Sequence, residues 1–190
     1  MLAVASAGEP LERIRQTIQD VLAVLRDEAL RAPERTQERR AKIRQAVFQR
    51  FGFEEMARRA LGVHWRKLTP AQQREFVALF SDLLERSYIG KIESYGGEAE
   101  IRYVKETIDN GYASVRTEIV TQRDLSAEVE YRLLRRGGEW EVYDVVIEGV
   151  SLVNNYRVQF NKVISQESYD ALVKKLKLKL EQEKAAETSS

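Results

Sequence analysis

The sequence contains no cysteine and a single histidine, His64. Without cysteine there is no disulfide, no thiolate nucleophile and no cysteine-ligated metal. One histidine also excludes histidine-rich metal sites, and a Ser-His-Asp arrangement would depend on His64 alone. His64 lies in the segment GVHWRKLTP with no identifiable orienting partner, so we predict a structural or solvent-facing role for it. These absences leave few groups for catalysis, and the prediction is a protein without catalytic residues, metal or cofactor.

The chain also lacks a strong charge of either sign and a long apolar run. Lys and Arg number 31 against 30 Asp and Glu, a net charge of +1, whereas domains that bind nucleic acid are usually basic. No nucleic-acid partner is therefore expected. No apolar run approaches the roughly 18–20 residues that span a bilayer. The 190 residues, 43% hydrophobic and 32% charged, are typical of one globular domain with a sizeable core.

The first ten residues, MLAVASAGEP, are small and apolar, with Ala-x-Ala spacings at Ala3/Ala5 and Ala5/Ala7. Such a segment is typical of the end of a secretory signal around its cleavage site. We interpret residues 1–8 as a signal-peptide remnant or a disordered leader. An ordinary terminus is the alternative.

Residues 9–95 carry apolar residues at helical spacing. The pattern predicts helices from Pro10, over 34–50, over 53–61 and over 70–93. The last is the clearest, because Thr69 suits the N-cap, Pro70 the first helical position, and Gln72 completes a capping box. Gly96-Gly97 ends this half.

Residues 98–148 alternate with period 2 and predict four strands of an antiparallel meander. Asp109-Asn110-Gly111 and Arg136-Gly137-Gly138 are hairpin signals. Residues 149–181 form a C-terminal segment with a last helix over 166–181, and residues 182–190 a polar, disordered tail. The predicted fold class is α+β: a helical subdomain packed on a four-stranded sheet, in a single domain over 9–181.

Asp144 interrupts an apolar strand, VYDVVIEG, beside Tyr143. A buried carboxylate and a tyrosine could serve as the acid/base pair of an isomerase or dehydratase in a small cone-shaped fold. Residues 143 and 144 of a regular strand point to opposite faces, however. A structural hydrogen bond or ion pair for Asp144 is the favoured interpretation.

Apolar stripes on the helices and the sheet are compatible with either a filled core or a cavity, and periodicity does not separate the two. A filled interior would favour another hypothesis besides the enzyme, namely an interaction module that binds a partner through its helical stripes. The arginine-rich stretch 31–50 and the lysines of the last helix are solvated faces by default. The alternatives are a phosphate-contacting or partner-docking face for 31–50 and contact with an anionic membrane surface for the lysines.

Three blocks resemble the MlaC family of phospholipid-binding proteins. They are FGFEEMARRALGVHWRKLTPAQQREFVALFSDLLERSY over 51–88, the strand WEVYDV from Trp140 to Val145, and VIEGVSLVNNYRVQF over 146–160. Their order and the intervening hairpins extend the similarity over nearly all of 9–180.

The resemblance implies a nuclear-transport-factor-like sheet with a helical subdomain and an apolar cavity between them. It further implies a periplasmic monomer that carries phospholipid as cargo between an outer-membrane lipoprotein complex and an inner-membrane ABC transporter. The family has no catalytic residues to transfer, and its members start with a signal peptide.

We predict the lining of such a cavity from the apolar residues of both halves. From the helices it takes Val47, Phe51, Met56, Phe76, Phe80, Leu84 and Tyr88. From the sheet it takes Val115, Ile119, Val129, Tyr131, Leu133, Val142, Val145 and Ile147, and after the sheet Leu152 and Tyr156.

Overall fold

A computed structural model describes residues 9–121 and 126–188. The chain divides into two compact units. The sheet unit takes its residues from Met1–Gly52 and Ile92–Ser151, and the helical unit from Phe53–Lys91 and Leu152–Ser190. The leader predicted at 1–8 lies outside the described residues.

The described elements are helices and antiparallel strands, which confirms the predicted α+β class. The helices are α1 Glu9–Arg26, α2 Thr36–Phe48, α3 Phe53–Leu61, α4 Pro70–Tyr95, α5 Leu152–Gln166 and α6 Tyr169–Thr188, with 3₁₀ segments at Glu28–Leu30, Pro33–Arg35 and Gly62–Lys67. The strands are β1 Glu100–Asp109, β2 Tyr112–Val120, β3 Ser126–Arg136, β4 Glu139–Ile147 and β5 Val150–Ser151.

In the sheet unit, the described strands form one antiparallel sheet in the order β1-β2-β3-β4-β5. The sheet therefore has five strands rather than the predicted four, because the two residues of β5 return along β4. Both predicted hairpins are present. Asn110 and Gly111 adopt φ of 47° and 79°, the left-handed backbone that an Asn-Gly turn accommodates.

Two β-bulges shift the faces of the strands. One lies between Tyr103 and Lys105 of β1, and the other lies in β4 opposite Arg132 and Leu133. An extra residue in one strand breaks the strict alternation of its side chains. A pattern of period 2 therefore assigns the faces of these strands correctly on only one side of each bulge.

The bulge in β4 overturns the expectation that Tyr143 and Asp144 face opposite sides. Asp144 pairs with Arg132, and the ring of Tyr143 packs edge-to-face on Tyr112 at 6.0 Å between centroids. Tyr112 pairs with Leu134, two residues from Arg132 and therefore on the same side of the sheet. Both side chains thus lie on the same face of the sheet, opposite the face that carries Val115 and Leu133. We call the face of Tyr143 and Asp144 the polar face.

In the sheet unit, polar contacts join α1 and α2 to later segments. The guanidinium of Arg26 at the end of α1 donates to the carbonyl of Gly97 at 2.7 Å. Arg39 and Arg40 of α2 both bind the carboxylate of Glu93, at 2.8 and 3.0 Å. The buried apolar residues of these helices include Ile14, Leu25 and Ile43.

In the helical unit, α4 begins as predicted. The backbone N–H of Gln72 donates to Thr69 Oγ1 at 3.2 Å, and Gln72 Oε1 accepts from the backbone N–H of Thr69 at 2.9 Å, a reciprocal capping box. The predicted helix 53–61 coincides with α3.

The C-terminal helices differ from the prediction. Helix α5 was not predicted, although its buried residues Leu152, Tyr156 and Phe160 recur at intervals of four. The last helix starts at Tyr169 rather than 166 and continues to Thr188, through most of the tail predicted to be disordered. Glu, Lys, Gln and Ala favour helix even where no apolar stripe is present, so polarity alone was a misleading signal.

Candidate functional site

The predicted lining residues of the sheet share one face. Val115 pairs with Tyr131, and Tyr131 with Val145, so the three form a row across β2, β3 and β4. Neighbouring rows place the remaining predicted residues on the same side: Ile119, Val129, Leu133, Val142 and Ile147. The bulge puts Val142 and Val145 on one side although three positions separate them.

These residues differ in how completely protein covers them. Val115, Leu133 and Val142 are 0%, 1% and 0% exposed, and Val129 and Val145 are also buried. Ile119, Tyr131 and Ile147 are only half-buried. A side chain next to a cavity wide enough for an acyl chain retains uncovered surface, whereas a core side chain does not.

A polar pair interrupts this apolar face. Thr117 is completely buried, and its hydroxyl donates to the carbonyl of Val129 at 3.2 Å. Tyr131 lies two residues from Val129, the strand partner of Thr117, and burial raises the pKa of the Tyr131 hydroxyl. The sequence pattern included Thr117 among the alternating residues of β2 but gave no sign of this bond.

Two further predicted residues, Val47 and Phe51, belong to the sheet unit. Phe51 forms a parallel bridge to Val142, because the backbone of Val142 bonds both Arg50 O at 2.8 Å and Gly52 N at 2.9 Å. Val47 and Phe51 are both half-buried. The segment after α2 thereby extends the edge of the sheet.

The predicted residues of the helical unit centre on an aromatic cluster. Phe76 and Phe80 stack at 5.9 Å, and Tyr156 meets Phe80 edge-to-face at 5.3 Å. Phe160 also contacts all three rings, although the sequence analysis did not select it. Met56, Leu84 and Leu152 are buried in the same unit.

Tyr88 is the half-buried member of this helical set. Burial raises the pKa of Tyr88 to about 12, with a smaller contribution from the neighbouring Tyr156. The hydroxyl of Tyr156 donates to Ser87 Oγ at 3.5 Å, so polar groups occur beside the aromatic cluster.

Asp144 is buried by polar neighbours rather than by the apolar face. It accepts a 2.6 Å hydrogen bond from Ser151 Oγ and lies 3.5 Å from the guanidinium of Arg132. The face that carries Val115 and Leu133 is the opposite one. Asp144 thus has the structural partners that the favoured interpretation expected, outside the predicted lining.

His64 is likewise placed at the surface. Its Nε2 lies 2.8 Å from Oδ1 of Asn161 in α5, a contact that joins the 3₁₀ segment Gly62–Lys67 to α5. Within 9–121 and 126–188, no cluster of three or more histidine and carboxylate side chains could hold a metal ion. No helix in those residues is long and apolar enough to cross a bilayer.

Most lysines of α6 are neutralised by glutamates. Lys175 pairs with Glu167, Lys177 with Glu75 at 2.5 Å, and Lys179 lies 4.0 Å from Glu183. Beside them, Gln72, Tyr169, Val173 and Leu178 contribute to a cleft of about 560 Å³ between the start of α4 and α6. The paired lysines support the solvated-face interpretation of this run.

The candidate site is a set of apolar side chains on an α+β fold, a lining typical of sites that accept apolar ligands. The family model described as MlaC protein matches residues 15–178. The chain belongs to the MlaC family.

Individual relatives agree with this assignment. The chain is 26% identical over 122 residues to the intermembrane phospholipid transport system binding protein MlaC of Haemophilus influenzae, covering 62% of this chain and 57% of that protein. It is 27% identical over 105 residues to toluene tolerance protein ttg2D of Pseudomonas putida, covering 55% and 49%. The alignments thus span about half the length of these curated relatives.

A solved structure matches over a greater length. It is the phospholipid-binding protein from Ralstonia solanacearum in complex with a phospholipid, with a TM-score of 0.80 and 26% identity. The match covers 90% of this chain and 97% of that one.

Proposed function

We propose that this protein is a phospholipid carrier that holds acyl tails against apolar side chains and catalyses no reaction. The observation that carries the proposal is the similarity to the Ralstonia solanacearum protein, whose structure contains a phospholipid. The cargo is then the only small molecule required, and no cofactor takes part.

The energetics of the cargo favour a protein carrier. A diacyl phospholipid has roughly 30 methylenes, and burial of each is worth about 0.8 kcal/mol, so exposing both tails to water costs about 25 kcal/mol. A carrier must cover nearly all of that surface. Apolar side chains do so without leaving buried polar groups unpaired. The headgroup can remain in water, which predicts little headgroup selectivity.

We propose that the half-buried members of the predicted lining contact the tails. In the sheet unit these are Val47, Phe51, Ile119, Tyr131 and Ile147, and in the helical unit Tyr88. The fully covered residues, such as Phe76, Phe80 and Val115, then act as the rigid support of the site.

The proposed setting is the periplasm, where a monomer shuttles phospholipid between an outer-membrane lipoprotein complex and an inner-membrane ABC transporter. The name of the Haemophilus influenzae relative, an intermembrane phospholipid transport system binding protein, supports this assignment. The signal-like residues 1–8 are compatible with export.

Native mass spectrometry of the purified protein, with uptake of labelled phospholipid from vesicles, tests the proposal. Ile119→Asp should lose both bound lipid and uptake, because a tail would have to cover a carboxylate. Val120→Asp is the matched control, since Val120 is also half-buried but pairs with Glu100 and Ser126 on the polar face. Circular dichroism establishes that both variants fold. A wild-type protein without lipid and without uptake contradicts the proposal.

A further inference from the structure

Two surface elements of the helical unit adjoin each other: the 3₁₀ segment Gly62–Lys67 and helix α5. His64 contacts Asn161 at 2.8 Å, and Arg157 passes close to Gly62, where an added Cβ would lie 3.2 Å from its Nε. We call the surface formed by Gly62–Lys67 and the exposed side of α5 the basic face.

The basic face exposes aliphatic side chains. Val63 is 67% exposed and Val158 is 64% exposed, the highest values among the exposed large hydrophobic residues of the described chain. The aromatic residue of the segment, Trp65, is only 9% exposed. The exposed apolar surface of the basic face is therefore small and consists of short side chains.

The charge of the basic face has one sign. Its exposed cations are Arg66, Lys67, Arg157 and Lys162. Neither Gly62–Lys67 nor Leu152–Gln166 contains Asp or Glu. In the part of the chain that the structure describes, none of the four cations forms an ion pair. The paired lysines of α6 show the opposite arrangement.

We propose that the basic face docks transiently on the anionic surface of a phospholipid bilayer. The four cations lie near headgroup phosphates, and Val63 and Val158 enter the headgroup layer beside them. An acidic protein surface is the less favoured occupant, because specific protein interfaces are anchored by large side chains such as Trp and Tyr, which this face does not expose. The inference rests on the proposed function only in that phospholipid is the cargo.

The expected contact is weak and sensitive to salt. Each Lys or Arg close to an anionic bilayer contributes about a five-fold increase in partitioning, and the contribution decays within a Debye length of about 10 Å at 0.1 M salt. Two short aliphatic side chains add little to this. The protein would therefore bind and leave quickly, as a carrier requires.

The test is co-sedimentation of the full chain with vesicles of phosphatidylcholine alone, or with 30% phosphatidylglycerol. We expect binding only to the anionic vesicles, and its loss at 0.5 M salt. Lys67→Glu/Lys162→Glu should weaken binding by about 30-fold or more, and Val63→Ser/Val158→Ser by a smaller factor with the charge unchanged. Lys105→Glu/Lys174→Glu changes the net charge equally elsewhere on the surface and should retain most of the binding.

Several outcomes overturn the inference. They are no binding of the wild-type protein to anionic vesicles, an equal loss in the Lys105/Lys174 control, and binding to immobilised polyglutamate without vesicle binding, which assigns the face to an acidic protein. Bound phospholipid is measured separately by mass spectrometry. If the protein carries lipid but does not bind vesicles, only this inference is contradicted. If the protein binds vesicles but never carries lipid, only the proposed function is contradicted.

Discussion

The carboxylate of Glu106 in β1 accepts a 2.8 Å hydrogen bond from the backbone N–H of Leu11, in the first turn of α1. The first N–H groups of a helix have no partner within it, and a negative charge there also complements the helix dipole. Glu106 reaches this position because the bulge after Tyr103 places it opposite Val115, on the apolar face of the sheet.

Replacing Glu106 by Ala should lower the free energy of unfolding by about 1 kcal/mol, the usual cost of losing a helix cap. Chemical denaturation followed by circular dichroism measures the change. Lys105→Ala, at the exposed neighbouring position, should change stability by less than about 0.5 kcal/mol. Deleting Val104 removes the bulge and should lower the free energy of unfolding by more than Glu106→Ala does. Equal stability of the two Ala variants would argue against the cap.

Glu55 in α3 is 3% exposed and binds Arg58 at 2.5 Å and Arg59 at 2.7 Å. Burial alone would raise the pKa of its carboxyl, but the hydrogen bonds and charges of the two arginines outweigh burial and hold the pKa below its ordinary value of 4.5. A lowered folded-state pKa contributes stability that is complete above pH 4.5 and is lost as the pH falls through the folded-state value.

Glu55→Gln should therefore cost about 2 kcal/mol near pH 7 and reduce the loss of stability on acidification below pH 4.5. Denaturation midpoints between pH 2 and 7 measure both effects. Its exposed neighbour provides the control, Glu54→Gln. A Glu55→Gln variant with the acid sensitivity of the wild-type protein would exclude Glu55 as its source.

The tyrosines of the helical unit predict the response to alkali. Burial raises the pKa of both Tyr88 and Tyr169 to about 12, from an ordinary value of 10.0. Their contribution to stability is complete below pH 10 and is lost as the pH rises towards 12, because the unfolded chain ionises first. Each proton that is released on unfolding makes the free energy of unfolding fall more steeply, by up to about 1.4 kcal/mol per pH unit.

Tyr88→Phe should flatten this decline, independently of any change in stability at neutral pH. Denaturation between pH 9 and 12 measures how steeply the free energy of unfolding falls with pH. The absorbance of tyrosinate should show one fewer tyrosine with a raised pKa. Tyr112→Phe, which removes a hydroxyl from a residue 50% exposed, is the control. An unchanged slope in the Tyr88→Phe variant would contradict the assignment.

Replacing Asp144 distinguishes a structural role of this residue from a chemical one. Asp144→Ala leaves Ser151 and Arg132 without this partner and should cost about 2 kcal/mol, the value of a hydrogen bond to a charged group. Bound phospholipid and its uptake, measured at a temperature where the variant is folded, should match the wild-type protein. Loss of uptake from folded variant protein would instead connect Asp144 to transport.

Local signals in the sequence predicted many elements correctly. The capping box at Thr69 and Gln72 and the Asn110-Gly111 turn depend on neighbouring residues only, so α4 and the first hairpin were predictable. The family resemblance led to the proposal of phospholipid as the cargo, because periodicity alone did not indicate a ligand. The bulges were not predictable, since no local residue pattern distinguished them from regular strand.

Residue type and short-range spacing were enough to predict the helical and strand halves, the turns between strands, and the absence of cysteine chemistry. The folded chain was needed to show that Val142 and Val145 share a face and that Glu106 contacts Leu11. The same holds for the hydrogen bond between Asp144 and Ser151 on the polar face. These relationships depend on strand register and on contacts between distant segments, and one inserted residue in a strand reverses every face beyond it.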